Sequence, residues 1–361
     1  MFGYNIVYVG LGILILLSLR IQYPLQEEFV SKNKDFPVIG SHAIVQSISI
    51  RPKFPNLAVP FRKHIRIWKT PVPLTPFKAP LKQLPPLTGA LPDFFIYNPA
   101  HLTKVINQGD CGSCWAFMVC DILSNRLMIR SGGVFRHNLS TQQLMACFNR
   151  EGCDGDSPET AMIWLDQTRT RLHLNSKIPY TQGDGGYVNT SCARKDGVVG
   201  IENGSVKSIV QFIPEKNYDK SIMEQNIINM KRELIEYGPF LCAMTVYDDF
   251  MSYTGTSVYS RKSTFIDGGH AVEVIGYCDA GIDPRKGFEK AYWICKSSWG
   301  DAWPTESNTP GYFMIEMGKN MCGIESRAGI AEPELFARLP STTQYSFSDL
   351  VYTDIQAYLA S

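Results

Sequence analysis

The chain has almost no excess of either charge: 35 Lys and Arg face 34 Asp and Glu in 361 residues. That balance leaves no field to draw nucleic acid or an anionic membrane by charge alone, so no nucleic-acid partner is expected. Among its six histidines and ten cysteines a single closely spaced pair, Cys111 and Cys114, stands without a second pair. A structural zinc site, which needs further paired ligands, therefore fits poorly, and no metal or cofactor is expected. Internal repeats are also missing. The first 19 residues carry no charged side chain. This segment lacks the basic start and the small-x-small cleavage signal of a removable leader. Residues 1–20 are therefore expected to be a membrane anchor, inserted through residues 4–19, with a cleaved signal segment as the alternative. Arg20 pulls the following chain toward the cytoplasmic side, but the cysteines decide otherwise.

Ten cysteines spread over the C-terminal two thirds favour an oxidising compartment. The expected placement is a single-pass membrane protein whose main domain is lumenal or extracellular, or a secreted or lysosome-like protein if the leader is removed. Asn138, Asn189 and Asn203 each open an Asn-x-Ser/Thr triplet and are glycosylation candidates. Between residues 21 and 90 the texture is mixed and then proline-dense, from Pro71 to Pro86. Prolines at that density fix φ and remove donors, so this stretch is extended, as a tether or a docking segment.

From Asp93 onward periodicity appears. Trp115, Met118, Val119, Ile122, Leu123 and Leu127 recur at helical spacing, and Ser131-Gly132-Gly133 supplies a stop. Ser140 with Gln143 forms a capping box, and Ser221 with Glu224 starts a further helix that Gly238-Pro239 ends. Ala271 to Tyr277 and Ala291 to Ile294 read as strands. A helix-rich half followed by a strand-rich half predicts an α+β fold with a cleft between the halves.

The chemistry concentrates in Gln108-Gly109-Asp110-Cys111-Gly112-Ser113-Cys114-Trp115. Cys114 opens the predicted helix, where unpaired N–H groups and the positive dipole end favour a thiolate and lower the thiol's pKa. Gln108 can bring its amide beside the Cys114 N–H, giving two donors for an oxyanion. A nucleophile needs a base, and His270, behind Gly268-Gly269 and at the start of a strand, is the candidate.

The Cys-Gly-Ser-Cys-Trp run, with a histidine far downstream, resembles the papain and cathepsin family. Gly152-Cys153-Asp154-Gly155, Tyr237-Gly238-Pro239, Trp293 to Trp299 and Cys322-Gly323-Ile324-Glu325-Ser326 resemble further landmarks in family order. The likeness covers roughly residues 91–330 and is closest to the cathepsin B branch. It implies a two-lobed papain-like fold, with a helical N-terminal lobe, a β-barrel-like C-terminal lobe and the active-site cleft between them. It implies a cysteine endopeptidase acting through a thiolate and an acyl-enzyme. It also implies disulfides Cys111–Cys153 and Cys147–Cys192, and a substrate wall formed by Gly155, Asp156, Gly269, Trp299 and Arg327. Residues 21–90 then resemble a propeptide, 91–335 the protease domain and 336–361 a tail. Expected partners are peptide or protein substrates, the chain's own propeptide and cystatin-like inhibitors.

Three departures stand out. Ser297 occupies the position of the family's asparagine that orients the histidine, and a serine is expected to reach the ring only through a water or a shifted backbone. Asp156 stands where the family has a second glycine, and Arg327 where cathepsin B has an acidic pocket floor. The two adjacent histidines by which cathepsin B accepts a substrate C-terminus are missing between Leu172 and Cys192. A thiol oxidoreductase fits less well, because Trp115 follows the second cysteine instead of preceding the first. A catalytically weakened protease fold acting as a binding module is the remaining alternative.

Overall fold

The computed structural model describes residues 76–214, 219–339 and 344–361. By internal contacts the chain divides into two units, and Phe61–Tyr345 with Leu350–Ser361 form the one that carries the features below. Of the other, only Ser346–Asp349 is described, a turn closed by Ser346 Oγ donating to Asp349 Oδ2 at 2.7 Å. The membrane placement is corrected here: no helix among the described residues is long and apolar enough to cross a membrane. Residues 4–19, on which that expectation rested, lie outside the described residues.

Helix α1 (Cys114–Arg130) is the centre of the fold. Gly132 and Gly133 adopt φ of +58° and +80°, and the Gly133 N–H closes on Met128 O at 2.8 Å, which ends the helix as the sequence predicts. Every residue from Cys114 to Ile129 is buried. A helix surrounded on all sides cannot leave its polar groups to water, so each needs a partner within the protein. Helix α2 (Thr141–Phe148) starts at Ser140, whose Oγ accepts from Gln143 N at 3.0 Å. The Gln143 amide turns instead to Arg171 O and Ala193 O, so only half of the expected box forms. Helix α3 (Pro158–Thr168) places proline in its first turn, where the missing N–H costs nothing. Helix α4 (Lys220–Glu236) is capped earlier than expected, by Asp219, which accepts from Ser221 N and Ile222 N.

The second lobe is built on β5 (Ile266–Cys278), a 13-residue strand that no single neighbour covers. One edge pairs with β4 (Phe240–Tyr247) and then with β1 (Phe94–Tyr97); the other pairs with β6 (Tyr292–Lys296), which continues to β7 (Tyr312–Glu316). Beyond β4 lie β8 (Ala328–Ile330) and β3 (Lys207–Ser208). Two further strands, β2 (Val199–Ile201) and β9 (Pro333–Leu335), pair separately. Residues 336–361 do more than trail: β10 (Val351–Tyr352) adds an edge to β1, with Ile96 opposite Tyr352. The described part of the proline-dense segment, from residue 76, is extended and bonded. Lys82 N donates to Ser208 O at 2.7 Å, Ser208 N to Pro80 O at 3.0 Å, and Lys82 Nζ pairs with Glu233 at 2.8 Å.

The polar residues of α1 fasten the two lobes. Lys296 Nζ, at the end of β6, meets Asp121 Oδ2 at 2.6 Å, and Thr103 Oγ1 donates to the other oxygen at 3.2 Å. Asn125 Nδ2 donates to both carboxylate oxygens of Glu273 on β5 at 2.9 Å. Arg126 meets Glu233 at 2.8 Å and Glu332 at 2.6 Å. Removing one partner of a buried pair strands the other charge, so Lys296→Met should cost about 3–5 kcal/mol of unfolding free energy. The double variant Asp121→Leu/Lys296→Met should recover most of that loss in urea titrations; a single variant within about 1 kcal/mol of wild type would show that the pair does not fasten the lobes.

Candidate active site

Cys114 is the first residue of α1 and is 1% exposed. The loop that delivers it is fixed on both sides. Cys111 is bridged to Cys153 with S–S 2.10 Å, and Gly112 N donates to Cys153 O at 2.8 Å. A Cβ on Gly112 would stand 2.7 Å from that carbonyl, so the approach requires glycine. Cys147 joins Cys192, tying α2 to the following loop. The other six cysteines, Cys114 and Cys322 among them, are free and buried.

His270 lies in β5, 1% exposed, with its ring stacked on Trp299 at 4.4 Å between centroids. Ring Nε2 lies 3.1 Å from Ser297 Oγ. The serine thus reaches the ring directly, without a bridging water. Nδ1 is buried and has no hydrogen-bond partner among the described residues. A ring that carries its proton on Nε2 donates to Ser297 and keeps Nδ1 as a proton acceptor. Ala271, next in the strand, directs its peptide N–H at the Cys114 thiol. The histidine strand and the head of α1 are therefore in contact.

Burial dominates the electrostatics. It pushes the Cys114 thiol up to about 11, although the N–H groups of Ala271, Trp115 and Cys114 itself pull the other way. The same desolvation holds His270 down to about 3. Burial thus opposes the lowering expected from the helix terminus and disfavours the charged form of each group. Two residues that the sequence left unassigned complete the wall. Ser298 Oγ donates to Gln108 Oε1 at 2.6 Å, and Gln108 Nε2 donates to Cys111 O at 2.8 Å, which locks the amide against the loop that leads to Cys114. Tyr180 OH donates to Gln108 O at 2.8 Å and lies 2.8 Å from Ser113 Oγ. Ser298 lies within the landmark Trp293 to Trp299, whereas Tyr180 has no local signature, and only the folded contacts show what each of them meets.

The expected substrate wall is partly assembled. Gly155, with φ +98°, follows the turn Gly152–Asp154. The Asp156 carboxylate is turned aside, accepting from Asn149 Nδ2 at 2.6 Å and Ser157 N at 2.7 Å, so it does not stand free at the wall. Gly269 is buried in β5 opposite Thr245. Arg327 is buried; burial lowers its guanidinium to about 10 against the pull of Glu159, and its Nε and Nη1 lack hydrogen-bond partners among the described residues. Among the glycosylation candidates, Asn189 and Asn203 are exposed, whereas the amide nitrogen of Asn138 is buried.

Comparison with known proteins bears on this geometry. The family model "Papain family cysteine protease" matches residues 93–331. "Cathepsin B-like cysteine proteinase 5" of Caenorhabditis elegans is 28% identical over 69% of this chain and 76% of its own length. "Cathepsin B-like CP2" of Giardia intestinalis is 31% identical over 65% of this chain and 71% of its own. Among solved structures, the proform "proCathepsin B S9 from Trypanosoma congolense" superposes with TM-score 0.56 at 22% identity, over 72% of this chain and 84% of that one, a likeness of fold. The fold agrees with these matches, and the chain belongs to the papain family of cysteine proteases, on its cathepsin B-like branch.

Proposed function

We propose that the chain is a cysteine endopeptidase with Cys114 as nucleophile, His270 as base, Ser297 as the group orienting the base, and Gln108 with the Cys114 N–H as oxyanion donors. The observation that carries this reading is the division of labour on the imidazole: Nε2 is taken by Ser297 while Nδ1 is left open. In the forward step the thiol proton passes to His270 Nδ1 as sulfur attacks the substrate carbonyl carbon. The C–N bond then breaks, and the imidazolium gives that proton to the departing amine. Water, deprotonated by His270, hydrolyses the thioester and restores the thiol. Because burial opposes either charge alone, proton transfer creates both together, and their attraction in the low-dielectric site offsets the desolvation. An endopeptidase is favoured because His173, the one histidine between Leu172 and Cys192, is buried and lies 3.5 Å from Asp196. It is not available to a substrate C-terminus.

Cys114→Ser and His270→Ala should each lower kcat by about three orders of magnitude or more with the unfolding midpoint kept. Ser297→Ala removes one orienting bond, of about 1.5 kcal/mol, and should cost roughly ten-fold in kcat with little change in KM. A Ser297→Ala enzyme with wild-type turnover would remove the serine from the mechanism.

Arg327 is proposed to floor the pocket for the substrate residue second before the cut. Its two unpartnered nitrogens support this, and its positive charge should disfavour basic side chains there. A positional peptide library that selects arginine at that position would refute the assignment.

The segment before Leu91 is proposed to be the inhibitory propeptide. In support, Ala79 N donates to Glu159 Oε1 at 2.7 Å, and the Phe77 ring packs on Gly329, two residues from Arg327. A chain beginning at Leu91 should be active as isolated and inhibited by an added peptide of residues 21–90; insensitivity to that peptide would count against the proposal.

A further inference from the structure

A cavity of about 550 Å³ beside the active site has a one-sided wall. Lys104, Asn107, Arg136, His137 and Asn138 line it, and none of its lining residues carries a carboxylate. Three buried cations of this fold are matched by carboxylates: Lys296 by Asp121, Arg126 by Glu233 and Glu332, Lys231 by Asp279. The cations at this cavity, Lys104 and Arg136, are exposed and face no carboxylate in its lining. Lys104 is exposed and has no ion-pair partner among the described residues. The Arg136 guanidinium donates to His101 Nδ1 at 2.5 Å and lies 4.5 Å over the Tyr345 ring, neither of which cancels its charge. His137 meets the ring of Phe135, edge-on at 5.3 Å, a contact that brings no charge. The Asn138 amide nitrogen is a buried donor without an acceptor among the described residues.

The position of the cavity is as informative as its charge. Asn107 bridges to Trp299, and the Trp299 ring covers His270. Gly300 presses on Asn107, where an added Cβ would come within 3.0 Å of the asparagine Cβ. Val105 packs on Gly311, whose carbonyl accepts from Ser297 N at 2.9 Å. The cavity wall is thus built against the loop that carries Ser297 and Trp299. That loop also covers the ring of His270, the group that in the proposed mechanism protonates the departing amine.

Resting on the cysteine-protease reading, we propose that this cavity is a carboxylate-binding subsite for the leaving half of the peptide, taking an aspartate or glutamate side chain in the residues after the cut. A carboxylate suits the donors, since a guanidinium can hold both its oxygens while Lys104 supplies a mobile point charge. Because Lys104 is exposed, the gain is modest and screened by salt.

The test uses the full chain with Cys114→Ser, so that peptides stay intact, and reads Kd by fluorescence anisotropy. Peptide amides identical except for glutamate, glutamine or lysine on the leaving side are compared with a glutamine peptide bearing a free terminal carboxylate. The glutamate amide should bind about three- to ten-fold tighter than the glutamine amide. That ratio should fall toward one in about 0.5 M NaCl and be lost or inverted in Cys114→Ser/Lys104→Glu. Equal Kd values for the two amides, or a glutamate advantage that survives Lys104→Glu, overturn the proposal. So does a free-terminus peptide that outbinds the glutamate amide, which would make this a site for chain ends. Binding of a sulfated oligosaccharide with no glutamate effect would also overturn it. Binding is read without turnover, so failure of the protease reading appears separately, as a wild-type enzyme that cuts none of these peptides.

Discussion

The structure depends on the attachment of one wholly buried helix to two strands. Cys114 sits at the head of α1; His270 and Ser297 belong to β5 and to the residue after β6. These elements come from opposite halves of the chain and share no covalent constraint. What registers them is the polar layer two to three turns down the helix, where Asp121 meets Lys296 and Asn125 meets Glu273. Lys296 directly precedes Ser297, and Glu273 follows His270 by three residues. A shift of the helix against the strands would break buried charged contacts before it separated thiol from imidazole. Burial pushes the Glu273 carboxyl up against the pull of Lys296, a measure of how little water reaches this layer.

That arrangement clarifies the departure at Ser297. An asparagine would bring its own reach and its own acceptor, whereas a serine depends on the backbone to bring it to the ring. Two adjacent serines take one contact each, Ser297 meeting His270 while Ser298 holds the Gln108 amide. Since Gln108 N also donates to Ser298 O at 2.8 Å, the dipeptide holds the Gln108 loop and the His270 ring together. Trp299 completes the unit by covering the ring, so each residue from Lys296 to Trp299 makes one contact of the site: the ion pair with Asp121, the bond to His270, the bond to Gln108 and the stack on the imidazole.

Local charge departs from the overall balance at two places. Arg327 is buried and drawn by Glu159, the carboxylate to which Ala79 of the upstream segment binds. Lys104 and Arg136 line a cavity without a carboxylate. In a chain whose total charge is only +1, the balance seen in the composition conceals such local fields.

Local rules were enough to mark the candidate site. The helix beginning at Cys114, its glycine stop, the strand behind His270 and the cysteine motif are set by residues within a few positions of one another, so their pattern is legible in one dimension. The sequence even marks Ser297 and Arg327 as departures, because each stands at a fixed offset from a landmark. What it could not determine are quantities that depend on distant segments meeting. The direct Ser297 bond to His270, the capture of Gln108 by Ser298, the turning aside of Asp156, the pairing of β10 with β1 and the cationic wall of the cavity each join residues with no local signature. The sign of the thiol's shift was equally hidden. A helix N-terminus is visible in sequence and favours a thiolate, but desolvation is set by everything packed around the sulfur, and in this fold that burial is the larger effect.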